Sequence, residues 1–301
     1  MALARPDSPL DFGIVYESTD VTLPSEPFMS AWPNTLVLVG AGKMGGAMLR
    51  GWLAGGLPAA GVALIDPAPA PDVVALAASR GLALNPAEGA LAPPDVLVLA
   101  VKPQMLDSAA PRLEPLAGPN TMALSIMAGK TIADIQARLP DVRAFVRVMP
   151  NTPAAVGRGA AAGFANGAVG PLQRVWAERL MRAVGMFDWV ADEALIDAVT
   201  AISGSGPAYV FALVEAMARA GEAVGLPADL AMRLARATVE GAGELLNREP
   251  EVSAAQLRVN VTSPAGTTAA ALAVLQAPDG LDALMARAAA AAHRRARELA
   301  G

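Results

Sequence analysis

The chain has 301 residues, 54% hydrophobic and 17% charged, with 23 basic against 28 acidic side chains and a net charge of −5. That length suits two ordinary domains or one large one, and so apolar a composition excludes global disorder. With no cysteine and a single histidine, His293, disulfides, thiol nucleophiles and Cys-based metal centres are excluded, and a His-based triad is implausible.

The chemistry must therefore come from a cofactor, hydroxyls, carboxylates or backbone amides, and no metal is expected. The mean hydropathy is +0.41, yet no uninterrupted apolar run of about 18 residues occurs, so no membrane association is expected. No basic stripe interleaved with aromatics appears, so nucleic acid is not an expected partner. The absence of cysteine gives no sign of an oxidising compartment, and the cytoplasm is expected.

Residues 1–33 are polar, proline-containing and aperiodic. They lack the charged start and apolar core of a secretory signal. They read as a disordered or over-called extension, with Met29 an alternative start.

From Asn34 the pattern changes. The run Thr35–Val39 reads as a strand, followed by Gly40-Ala41-Gly42-Lys43-Met44-Gly45 and a helix to about Ala54. A Gly-x-Gly-x-x-Gly between strand and helix is the context a dinucleotide site requires. Gly40 permits the tight turn, Gly42 the approach of a pyrophosphate, and Gly45 close helix–strand packing. Val62–Ile65 is a second strand, ending at Asp66. That acid can hold the adenosine ribose, or it can be a turn residue before Pro67. Further strands are expected at 96–101, 122–127 and 145–149, with helices at 72–79, 104–116 and 131–139 between them. Short apolar strands alternating with helices predict an α/β fold, a Rossmann-type doubly wound parallel sheet over 34–190.

The turns after these strands face the ligand crevice of such a sheet. Ala100-Val101-Lys102-Pro103 and Ala128-Gly129 are therefore candidate cofactor contacts, and Met149-Pro150-Asn151-Thr152-Pro153 is a further strand-end turn. After about 191 the strand signal stops, and residues 191–301 read as an all-helical domain. Helices are expected at 208–224, 227–247, 254–259, from about Gly266, and at 281–299. The first is apolar almost all round and needs burial on nearly every face, which points to a partner subunit. Ser203-Gly204-Ser205-Gly206-Pro207 before it is either a flexible joint with a serine cap or a close-approach loop beside a ligand, and composition alone favours the joint.

Asn260-Val261-Thr262-Ser263-Pro264-Ala265-Gly266-Thr267-Thr268 is a hydroxyl-rich loop running straight into a helix. Free amides at Gly266, Thr267 and Thr268 would form a carboxylate site, and a threonine hydroxyl could bond a substrate nitrogen. Simple N-capping by Ser263 or Thr267 is the plainer alternative.

Taken together, Gly40–Met44, Ala100–Pro103, Met149–Pro153, Ile196-Asp197-Ala198-Val199-Thr200, Ser203–Tyr209 and Val261–Thr268 resemble pyrroline-5-carboxylate reductase, in order and along nearly the whole chain from Thr35. The resemblance implies reduction of 1-pyrroline-5-carboxylate to L-proline with NADPH or NADH. It also implies a helix-swapped dimer that can assemble into a decamer. It makes Thr268 the catalytic contact to the ring nitrogen, and gives the carboxylate to the amides of Gly266–Thr268, beside Ser263. Asn260 would lie beside cofactor and substrate. Ala265 stands where the family usually has glycine, so a positive φ there would carry strain of about 1 kcal/mol. Asp66, with no arginine directly after it, mildly favours NADH. A β-hydroxyacid dehydrogenase of the same plan is disfavoured, since helix 208–224 offers Glu215 and Arg219 but no lysine. The remaining alternatives are a reductase of a related cyclic imine and a redox sensor that binds cofactor without turnover.

Overall fold

The computed structural model describes residues 32–300. The expectation for the N-terminal extension, Met29 included, falls on residues outside that range except at its end. There, Trp32 packs against the first core, with the Arg179 guanidinium 4.5 Å over its ring.

Eight strands form one sheet in the order β3-β2-β1-β4-β5-β6-β7-β8. They are β1 Leu36–Val39, β2 Val62–Ile65, β3 Ala83–Leu84, β4 Val96–Leu99, β5 Met122–Ser125, β6 Ala144–Met149, β7 Gly159–Ala165 and β8 Gly185–Trp189. Between them run α1 Lys43–Ala54, α2 Pro71–Arg80, α3 Leu106–Leu113, α4 Ile132–Gln136 and α5 Pro171–Arg182. Strands β1 to β6 pair in parallel, in register from Val39↔Ile65 to Leu99↔Ser125.

Side chains alternate between the two faces of each strand, and this alternation divides the interior into two cores. Leu36, Leu38, Val96 and Val98 face α1 and α5 through Met48, Trp52, Leu180 and Met181. Val37, Val39, Leu97 and Leu99 face α3 and α4 through Leu106, Leu113 and Ile135. Burial on both faces explains why these strands are continuous apolar runs rather than alternating ones.

The sheet is mixed rather than wholly parallel, because β7 runs antiparallel to β6. Only 150–158 join the two strands, including the 3₁₀ turn Thr152–Val156 and Gly157 at φ 69. That is too short for a crossover helix, so the chain must double back. β7, α5 and β8 are elements the sequence reading does not anticipate. β7 is Gly-Ala-Ala-Ala-Gly-Phe-Ala, with none of the β-branched signal of a strand. Its small residues make room for a large neighbour: a side chain at Gly163 would meet the ring of fully buried Phe187 at 2.9 Å.

The helical half comprises α6 Leu195–Val199, α7 Gly206–Ala223, α8 Ala228–Arg248, α9 Ala254–Asn260, α10 Thr267–Leu275 and α11 Leu281–Ala300. The serine–glycine segment is not a flexible joint. A π-helical turn, Thr200–Gly204, joins α6 to α7 in one helical run, and no side chain caps α7. Hydroxyls take up the carbonyls in this run: Thr200 Oγ1 donates to the Ile196 oxygen at 2.7 Å, and Tyr209 Oη to the Ala201 oxygen at 2.9 Å. α7 and α8 pack as an antiparallel pair and leave Val210, Phe211, Leu213, Leu234 and Leu245 exposed on the single chain.

Candidate functional site

The glycine loop lies at the switch point of the sheet, between β1 and its neighbours β2 and β4, where open α/β sheets bind ligands. Gly40 sits at φ 90, and a side chain there would meet the Ala100 carbonyl oxygen at 2.7 Å. A side chain at Gly45 would collide with the Gly40 carbonyl, whereas one at Gly42 would meet nothing within 4 Å. The three glycines thus serve a tight turn, an open approach and helix–strand contact in that order, which is the fit a pyrophosphate requires. No side chain caps α1, so its first amides are available to an anion. Lys43 is exposed and Met44 half-buried at this helix start. A cavity of about 570 Å³ opens here, lined by Ala41, Gly42, Lys43, Met44, Thr152 and Ala155.

Asp66 reaches the same loop. Its Oδ2 accepts from the Ala41 amide at 2.7 Å, and its Oδ1 from the Ala68 amide at 2.9 Å. Asp66 thus shapes both the glycine loop and the turn into Pro67, and it is half-buried beside them. Ala100, Val101 and Pro103 are half-buried beside the loop, while Lys102 is exposed and makes no ion pair among the described residues.

Ala128 is exposed and Gly129 half-buried at the end of β5. Gly129 takes φ 70, and a side chain there would meet the Leu299 carbonyl oxygen at 2.9 Å. The end of α11 thus needs the small residue as much as a nicotinamide would. Thr131 and Asp134 fix the following turn by a capping box, with Thr131 amide and hydroxyl both 2.8 Å from Asp134 Oδ2. Burial works to raise the Asp134 pKa. The bonds from Thr131, with Lys130 and Arg138 nearby, outweigh it and hold the carboxyl below its ordinary value.

At the other end of the chain, Ala265 stands at φ 57, the left-handed region that an alanine enters at a cost of about 1–2 kcal/mol. Gly266 precedes the first turn of α10, and no side-chain bond caps this helix. The capping alternative for Ser263 and Thr267 is thus absent. Of the three amides expected to be free, the Gly266 N–H is not, since it donates to the Ser263 carbonyl at 3.1 Å. The Thr267 and Thr268 amides have no hydrogen bond to the protein among the described residues. Ser263 Oγ lies beside Gly266 where a side chain would otherwise sit. Asn260 is exposed at the end of α9, its Oδ1 accepting from Gln256 Nε2 at 2.8 Å.

The structure gathers Gly40–Met44, Asp66 and Ala100–Pro103 into one crevice. No hydrogen bond or ion pair ties Asn260 or Ser263–Thr268 to that crevice among the described residues. α9 and α10 pack on little of their own chain and expose Val259, Val261 and Val274.

Two groups bind the halves together, and sequence reasoning missed both. Arg147 of β6 is 3% exposed and pairs with Glu193 at 3.2 Å and with Asp197 of α6 at 3.3 Å. Asn151 donates through Nδ2 to the Ser203 carbonyl at 3.0 Å and accepts at Oδ1 from the Ala160 amide at 2.8 Å. An arginine within an apolar strand, Phe145-Val146-Arg147-Val148, was the available signal: a charge there must be paired.

A family model described as pyrroline-5-carboxylate reductase dimerisation matches residues 193–299, and one described as NADP oxidoreductase coenzyme F420-dependent matches residues 35–129. A pyrroline-5-carboxylate reductase of Pseudomonas aeruginosa is 42% identical over 88% of this chain and 96% of its own length. One from Synechocystis is 46% identical over 68% of this chain and 75% of its own. Among solved structures, a pyrroline-5-carboxylate reductase from Coxiella burnetii superposes with a TM-score of 0.82 at 34% identity, covering 90% of this chain and 100% of that one. A Plasmodium falciparum pyrroline carboxylate reductase solved with NADP bound gives 0.74 at 26% identity, covering 90% and 100%.

Proposed function

The chain belongs to the pyrroline-5-carboxylate reductase family, and from that premise we propose how its residues carry out the reaction. The activity is reduction of 1-pyrroline-5-carboxylate to L-proline with NAD(P)H, in proline biosynthesis. Bound cofactor supplies the hydride. Gly40, Ala41, Gly42, Lys43 and Met44 hold its pyrophosphate, and Asp66 its adenosine ribose. Ala100–Pro103, Ala128 and Gly129 border the nicotinamide side, with Asn260 closing over it.

The observation that carries the substrate assignment is the uncapped start of α10. Two amides without protein partners, at the positive end of a nine-residue helix, suit a carboxylate. Thr268 Oγ1, in the same turn, aligns the ring nitrogen, and Ser263 adds a hydroxyl beside the carboxylate. A protonated imine is already electrophilic at its carbon, so these residues need to position it and shelter the nitrogen's proton rather than supply a strong base. That demand suits a chain without cysteine, whose one histidine lies in α11.

The dimerisation region is α6 to α11. The continuous helix Leu195–Ala223 is long and apolar enough to cross a membrane by length and composition. Its exposed face, and that of α8, fit burial against a second copy. Because α9 and α10 are so little covered by their own chain, we place the Ser263–Thr268 loop over a crevice shared across the dimer. Further assembly into a decamer and a cytoplasmic location complete the proposal.

The test is oxidation of NADH and NADPH by purified protein with 1-pyrroline-5-carboxylate, compared with Thr268→Ala. Turnover that falls with the variant supports the assignment. Cofactor binding without turnover on any cyclic imine would instead mark a redox sensor.

A further inference from the structure

Asp66 is held more firmly than a turn residue needs to be. Asn85 receives the Asp66 amide on its Oδ1 at 2.9 Å and donates through Nδ2 to the Asp66 carbonyl at 2.7 Å. To do so Asn85 sits at φ 49, one of two non-glycine residues at positive φ among the described residues. The side chain is fixed as well, one oxygen on Ala41 and the other on Ala68. Each carboxylate oxygen has two lone pairs, so both can still accept a hydroxyl.

The turn that Asp66 opens carries no positive charge. Pro67-Ala68-Pro69-Ala70-Pro71 follows without a basic residue. Arg50, across the loop, is paired with Asp72 at 3.0 Å. Lys43 and Lys102 stand exposed at the starts of their turns. Arg112 reaches the Pro86 carbonyl at 3.5 Å and lines a small hollow with Glu88 as well as the slot that adjoins Asp66. Beside Asp66, a mostly apolar slot of about 200 Å³ is lined by Val39, Ile65, Pro67, Val101 and Ala109, with Arg112 also on its wall, and it suits a flat heteroaromatic ring.

We propose that Asp66 makes this protein NADH-preferring: its carboxylate takes the two adenosine ribose hydroxyls and repels a 2′-phosphate, with adenine in the adjoining slot. The inference rests on reading Gly40–Gly45 as the cofactor loop. A phosphate carrying between one and two negative charges would face a fixed carboxylate at hydrogen-bond range, while Arg50 is paired and the proline-rich turn offers no cation; Arg112, on the wall of the adjoining slot, lies on the adenine side.

The test is equilibrium binding of NADH and NADPH, by nicotinamide fluorescence without any imine, to the wild-type protein, Asp66→Asn and Asp66→Ser. The wild type is expected to bind NADH about 10-fold or more tighter than NADPH. Both variants should lose NADH affinity and gain NADPH affinity, a gain that misfolding cannot produce. Wild-type binding of NADPH as tight as NADH would overturn the proposal, as would variants with an unchanged ratio. Since no imine is present, a failed reductase assay leaves this readout intact.

Discussion

Replacing Arg147 with methionine tests the junction on which the two halves of the protein are oriented. Breaking a buried ion pair by removing one partner costs about 3–5 kcal/mol. Glu193 keeps 25% exposure and Asp197 13%, so the carboxylates left behind recover some hydration and the low end applies. Arg147 Nε is also buried without a partner, a penalty of about 1 kcal/mol that methionine removes. The net loss is then about 2 kcal/mol. Urea unfolding at fixed protein concentration, followed by tryptophan fluorescence, measures it. Adding Asp197→Asn to Arg147→Met removes one stranded charge and should recover at least about 1 kcal/mol. Glu193 gains less from neutralisation, because it also accepts from the Ile132 amide at 2.8 Å. An Arg147→Met midpoint equal to wild type, or a double variant no better than the single one, would mean that the buried pairs do not hold the junction.

Thr268→Ala should lower kcat by about 10-fold or more, with a smaller change in the imine KM, because an aligning hydrogen bond is lost while the carboxylate amides remain; steady-state kinetics with saturating cofactor checks this. Phe211→Glu places a charge on a side chain that is 63% exposed on the single chain; if that face is the dimer face, sedimentation should show monomer and turnover should be lost. Ala265→Gly relieves strain of about 1–2 kcal/mol and adds about 0.4–1 kcal/mol of unfolded-chain entropy, so thermal unfolding should shift slightly upward. Asp134 has a lowered folded-state pKa. Its contribution is present above the unfolded carboxyl pKa and lost as pH falls through the folded value, so Thr131→Ala should flatten the acid limb of the stability profile.

Much of this was legible because local chemistry and tertiary role agree. The strands β1, β2, β4 and β5 are apolar runs buried on both faces, Gly40 and Gly45 each meet the neighbour their spacing implies, and Gly42 is left open as its spacing implies. The runs at 96–101 and 122–127 end as strands two residues early, because their last residues leave the ladder while still packing against the cores. Strand β7 was not legible, because its alanines and glycines are chosen for the Phe187 ring across the pair rather than for strand propensity. The π turn at Thr200–Gly204 looked like a joint because glycine and serine commonly mark one. Here glycine admits Met149, whose Cε would lie 2.6 Å from a side chain at Gly204, and the hydroxyls bond back to the helix. At α10, the segment pointed to a carboxylate site, but only the structure reveals that Gly266 spends its amide on Ser263.

The most direct measurement of the reductase reaction is isotope transfer from nicotinamide cofactor carrying two deuteriums at C4 to 1-pyrroline-5-carboxylate, read by mass spectrometry and NMR of the product. Proline carrying one deuterium on the ring carbon that was double-bonded to nitrogen is the predicted result. Unlabelled proline, or no proline from folded protein that binds the cofactor, would contradict it.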